Sequence, residues 1–95
     1  VCTLSGADRP IRPRHRATDA SAAAAWLSRQ PFVDSARLAL LGWSHGGSSV
    51  LSAADTGQPE PTRPSFRAAI AFYPGCRVYA ERPDYGVKVP LTILI

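Results

Sequence analysis

Five residues near the middle of the chain, Gly42-Trp43-Ser44-His45-Gly46, have the types and spacing that nucleophilic catalysis requires. The pattern G-x-S-x-G asks for a sharp strand-to-helix turn with a strained backbone at the serine, so that the hydroxyl projects at the carboxyl end of the strand. Gly42 and Gly46 stand two before and two after it, where small residues let neighbouring backbone pass closely. The first N–H after the serine, that of His45, is placed to stabilise charge developing on an attacked carbonyl oxygen. The start of the following helix adds free N–H groups and the positive end of its dipole. The chemistry implied is acyl transfer with Ser44 as nucleophile. A phosphate-binding turn is the related alternative, but the chain carries no G-x-G-x-x-G and no Walker sequence.

A serine hydroxyl is a weak nucleophile without a base beside it. The acids after Ser44 are Asp55, Glu60, Glu81 and Asp84, and no histidine follows His45. Adjacent side chains on such a turn diverge, so the expected contribution of His45 is its backbone N–H. His15 lies upstream among Arg9, Arg12, Arg14 and Arg16. Those arginines read as a solvated, proline-stiffened loop. The competing reading is a site that holds a carboxylate-bearing substrate by bidentate contacts.

The elements around the turn follow from periodicity. Residues 1–16 are irregular, punctuated by Gly6, Pro10 and Pro13. Ala17 to Gln30 predicts a helix with Ala20, Ala23, Ala24 and Leu27 on one apolar stripe, capped by Thr18 or Asp19 and stopped by Pro31. Its alanine-rich face suits close packing on a sheet. Residues 36–43 are short and apolar on both faces, which predicts a central strand of a parallel sheet. A helix follows to Asp55, with Val50, Leu51 and Ala54 on one face. Residues 56–65 are loop, with Gly57, Pro59, Pro61 and Pro64. Arg67 to Tyr73 is a second buried strand stopped by Pro74-Gly75. Residues 74–88 read as loop, and Val89 to Ile95 as a third strand with Pro90 tolerated near its start. The alternation predicts an α/β fold: a parallel sheet flanked by helices, with the strand–turn–helix at residues 36–55.

Composition narrows the function classes. Of the 95 residues 45% are apolar and 19% charged, the balance of a globular chain rather than a disordered one. No apolar run approaches the roughly 18–20 residues of a membrane span. The net charge is +4, with ten arginines and one lysine, Lys88. No aromatic residues interleave the arginines, which speaks against a nucleic-acid surface. Cys2 and Cys76 form no disulfide framework and have no metal-ligand spacing, so they read as small buried apolar residues, and no metal or cofactor is expected. The compartment stays open.

Four runs carry a family resemblance: Ala24-Trp26-Leu27, Gln30-Pro31-Phe32-Val33-Asp34, Leu41-Gly42-Trp43-Ser44-His45-Gly46-Gly47 and Ala71-Phe72-Tyr73-Pro74-Gly75-Cys76. Together they resemble the dienelactone-hydrolase-like branch of the α/β-hydrolase superfamily, over essentially the whole chain. The resemblance implies hydrolysis of a small ester or lactone by a nucleophile-centred triad, without a cofactor. The founding dienelactone hydrolases carry Cys where this chain has Ser44. In this fold the acid and the histidine follow the nucleophile in that order, and the second oxyanion donor precedes it. Residues 1–95 are therefore expected to be the central part of one α/β-hydrolase domain, with acid and base after Ile95. Tyr73 and Cys76, at the end of the neighbouring strand, and Trp43 are candidates for the substrate pocket. A prolyl-oligopeptidase-like peptidase fits the same motif. A non-catalytic α/β domain that binds an anion or a protein partner is the alternative of another class.

Overall fold

In the computed structural model, residues 10–58 and 66–95 are described. Cys2, Arg9 and Glu60 lie outside them, as does most of the proline-rich stretch 56–65. The element order is α1 (Pro13–Leu27), β1 (Ala39–Trp43), α2 (His45–Ala54), β2 (Ala68–Phe72), α3 (Arg77–Ala80) and β3 (Leu91–Leu94). The strands form one parallel sheet in the order β1-β2-β3. This is the α/β fold expected from the alternation of patterns, with the strands trimmed at their ends.

The trimming has local causes. Asp34 folds the chain before β1: its side-chain oxygen accepts the Ala36 N–H at 3.0 Å and its carbonyl accepts the Arg37 N–H at 3.1 Å. This Asx turn delays the strand to Ala39. Helix α1 starts four residues before the expected Ala17. Pro13 occupies the first helical position, where its missing N–H costs nothing, and the Arg12 N–H donates to His15 Nδ1 at 3.0 Å. The arginine segment is thus partly helix and not all irregular. The buried residues of α1 are Ala17 and Ala24, while Ala23 is exposed, so the stripe is rotated from the expected one. The helix lies mainly on α2 rather than directly on the sheet. Residues 74–88, read as loop, contain the short α3.

The core is small. Val50 and Leu51 of α2 pack on Ala69 and Ala71 of β2, with Leu40, Cys76, Tyr79, Val89 and Leu91 around them. Strand register explains the layering. Leu40, Ala69 and Leu91 are partners along one row, and Gly42, Ala71 and Ile93 along another. These rows face α2. The alternate rows, Leu41 with Ile70 and Thr92 and then Trp43 with Phe72 and Leu94, point to the opposite face. There Leu41 is 45% exposed, Trp43 54% and Leu94 45%. Strand β1 was expected at the centre because it is apolar on both faces. Among the described strands it lies at an edge, and β2 is central.

Candidate active site

The turn from β1 into α2 leaves the serine little conformational choice. Ser44 sits between them with φ 50 and ψ −116, a positive-φ conformation that a side chain makes costly by about 1–3 kcal/mol. Hydrogen bonds hold it there. The Ser44 N–H donates to the Phe72 carbonyl of β2 at 3.0 Å, and the Ser44 carbonyl accepts the Ser48 N–H at 3.0 Å to begin α2. The side chain itself is exposed.

Glycine at 42 is compulsory. A Cβ there would come within 2.4 Å of the Gly46 carbonyl oxygen. The second glycine with a steric demand is not Gly46, whose Cβ would meet nothing within 4 Å, but Gly47. A Cβ on Gly47 would lie 2.8 Å from the Phe72 carbonyl oxygen and 3.2 Å from Pro74 Cβ. The first turn of α2 therefore slides tightly under the chain leaving β2.

Ser48 ties these two segments together. Its hydroxyl accepts the Gly75 N–H at 2.9 Å and reaches the Ser44 carbonyl at 3.4 Å. Its carbonyl accepts the Tyr79 hydroxyl at 2.8 Å, and the Tyr85 hydroxyl donates to the Leu51 carbonyl at 3.0 Å. Neither Ser48 nor the two tyrosines stood out in the sequence. Only the position of Ser48, one helical turn after Ser44, was a signal. Burial raises the Tyr79 phenol above its ordinary range and pushes Tyr85 to about 12, with the nearby Asp55 carboxylate adding to the rise in both.

The other expected residues fall as follows. His45 is half-buried at the first position of α2, and its carbonyl accepts the Ser49 hydroxyl at 2.9 Å. Trp43 stacks on Phe72 with ring centroids 5.3 Å apart. Tyr73 leaves β2 directly beside Ser44, with φ 33 and 57% exposure. Cys76 stands at the N-cap position of α3 and packs against the core only half-buried, not fully buried as its residue type suggested. His15 has its Nδ1 committed to the start of α1. Arg12 and Arg14 are exposed there and Arg16 half-buried.

The acids that follow Ser44 are engaged elsewhere. Asp55 ends α2, and ten helical residues place it roughly 15 Å along the axis from Ser44. Its carboxylate, 2% exposed, accepts Arg82 Nη1 at 2.7 Å and the Gly57 N–H at 2.9 Å. Arg82 also pairs with Asp84, whose carboxyl it holds below the usual range. Glu81 pairs with Arg77. A cavity of about 370 Å³ lies at this same far end, between Leu40, Ala53, Ala54, Arg67, Val89 and Pro90. Among the described residues no group of three His, Cys, Asp or Glu side chains could hold a metal ion, and no helix is long and apolar enough to cross a membrane.

Parallel strands joined through helices, with the tight turn after β1 carrying a serine at positive φ, define an α/β-hydrolase. Comparison with protein families agrees and is narrower: the model of the prolyl oligopeptidase family matches residues 13–84, and the chain belongs to that family. The match supports the superfamily to which the residue runs pointed, not the dienelactone-hydrolase branch in particular. No curated protein and no solved structure matches the chain.

Proposed function

We propose that this chain is the nucleophile-bearing central part of a serine hydrolase domain. Ser44 Oγ attacks the substrate carbonyl carbon and gives its proton to a base. The His45 N–H donates to the oxygen as it gains charge. The leaving group departs protonated, and water then releases the acyl group from Ser44. The observation that carries this reading is the positive φ of Ser44 between Gly42 and α2. Strain of this kind at an exposed serine has no stabilising purpose of its own. In this reading the triad acid and base come from other parts of the domain, which the pairing of Asp55, Glu81 and Asp84 with arginines supports for the acid.

The family match favours a peptide bond as the bond cleaved. An ester or lactone is the second reading, and rests on the resemblance of the Phe72-Tyr73-Pro74-Gly75-Cys76 run to the dienelactone-hydrolase-like branch. The test is labelling of the complete hydrolase by a fluorophosphonate, which reacts only with an activated serine, alongside turnover of an aminoacyl p-nitroanilide and a p-nitrophenyl ester. Ser44→Ala is expected to abolish labelling and to lower kcat by several orders of magnitude. Full activity in Ser44→Ala would remove the assignment. The faster substrate separates peptidase from esterase.

A further inference from the structure

The Ser44 carbonyl and the His45 N–H belong to one planar peptide group and point to opposite sides of it, so whatever fixes the carbonyl also aims the N–H. That carbonyl is approached twice by one residue. The Ser48 N–H donates to it at 3.0 Å as the first bond of α2, and the Ser48 hydroxyl reaches it at 3.4 Å. A serine inside a helix often bonds back to the carbonyl four residues earlier, at slight cost to the helix. Here the hydroxyl has a second engagement. Buried between α2 and the chain leaving β2, it accepts the Gly75 N–H at 2.9 Å.

With the hydroxyl oxygen facing the Gly75 N–H, its proton is left for the Ser44 carbonyl. The groups then form a chain that runs one way: Gly75 N–H to Ser48 Oγ–H, to the Ser44 carbonyl, and through the peptide to the His45 N–H. Each bond in such a chain polarises the next, so the last N–H becomes the better donor. The 3.4 Å link is long, which makes this a supporting effect. It is smaller than the roughly 10²–10³-fold loss that follows removal of an oxyanion donor itself.

We propose that Ser48 is a positioning residue for the reaction, its hydroxyl orienting and polarising the Ser44–His45 peptide so that the His45 N–H meets the oxygen as it gains charge. This rests on Ser44 being the nucleophile and the His45 N–H its oxyanion donor. The test uses the complete hydrolase with p-nitrophenyl acetate and with 1,1,1-trifluorodecan-2-one, a ketone whose adduct with serine carries an oxyanion. In Ser48→Ala, kcat is expected to fall about tenfold with KM within about twofold, and Ki of the ketone to rise about tenfold. Ser48→Cys fills the same space but hydrogen-bonds weakly, and is expected to shift kcat and Ki about threefold or more in the same directions, so the test stands even where the alanine variant does not fold. Tyr79→Phe removes the bond to the Ser48 carbonyl and leaves the Ser48 hydroxyl alone. It is expected to lower Tm while kcat and Ki stay within about twofold. Values of kcat and Ki within about twofold of wild type in the folded Ser48 variants, with turnover lost in Ser44→Ala, overturn the Ser48 assignment alone. Equal losses in Tyr79→Phe mark a general loosening of the turn and also overturn it. Turnover retained in Ser44→Ala overturns the nucleophile reading and this one with it.

Discussion

At the residue scale, the turn after β1 is governed by which glycines have backbone in the way of a Cβ. At Gly42 and Gly47 the obstacles are carbonyl oxygens at 2.4 and 2.8 Å, and backbone yields less readily than the end of a side chain. Gly42→Ala and Gly47→Ala are each expected to destabilise by about 2–3 kcal/mol, as overpacking does. Gly46→Ala meets open space inside a helix and is expected to be neutral or to stabilise by up to about 1 kcal/mol, since alanine is the better helix former. Thermal melts of the three variants check the order. The G-x-S-x-G spacing pointed to the serine and to Gly42 because both demands arise within the turn. The demand on Gly47 comes from Phe72 and Pro74, which the chain brings back from a later strand. No local pattern announces it.

At the element scale, α2 is anchored at both ends to the segment between β2 and β3. Near the nucleophile the anchors are Ser48 to Gly75 and Tyr79. At the far end they are Leu51 to Tyr85 and Asp55 to Arg82. Asp55 is buried and its pair with Arg82 is not interchangeable with the exposed Arg82–Asp84 pair. Arg82→Met strands a buried carboxylate and is expected to lower Tm several times more than Asp84→Ala does. Asp55→Asn added to Arg82→Met should recover part of the loss. The tyrosine anchors give a pH signature. The Tyr85 phenol stays neutral in the fold up to about 12, whereas in the unfolded chain it ionises near 10. A raised acid favours the fold while both states are protonated, so its contribution is present below pH 10 and is lost as pH rises toward 12. Denaturant titrations of the wild type are expected to show that loss. Tyr85→Phe should start about 1 kcal/mol lower, for want of the bond to Leu51, and fall less steeply over the same interval. These anchors explain why residues 74–88 looked structureless in sequence. Their order comes from partners 27 to 34 residues away. The strands and α2, by contrast, were legible because apolar runs and turn residues sit next to each other in the chain.

At the scale of the whole molecule, the sheet is finished on one face only. α2 covers the row of Leu40, Ala69 and Leu91, and α1 lies mainly on α2. The other face presents Leu41, Trp43 and Leu94 about half exposed, beside Ile70 and Phe72, and β1 and β3 are edges of the described sheet. Apolar area of that kind marks a surface that something covers. The sequence foreshadowed it, because β1 is apolar on both faces, a pattern suited to a strand with cover on each side. The proposal that the chain is the centre of a larger hydrolase domain makes the cover part of the same domain. It then follows that residues 1–95 made alone bind an apolar dye such as ANS, melt with little cooperativity and turn over p-nitrophenyl esters little or not at all. The complete domain should bind no more dye than an ordinary globular protein and be active. A cooperative melt without dye binding would show that the 95 residues bury their own surface and would defeat the proposal. Esterase turnover by the 95 residues, lost in Ser44→Ala, would defeat it from the catalytic side, since a working serine needs a base, while Asp55, Glu81 and Asp84 are paired with arginines and His15 Nδ1 accepts the Arg12 N–H.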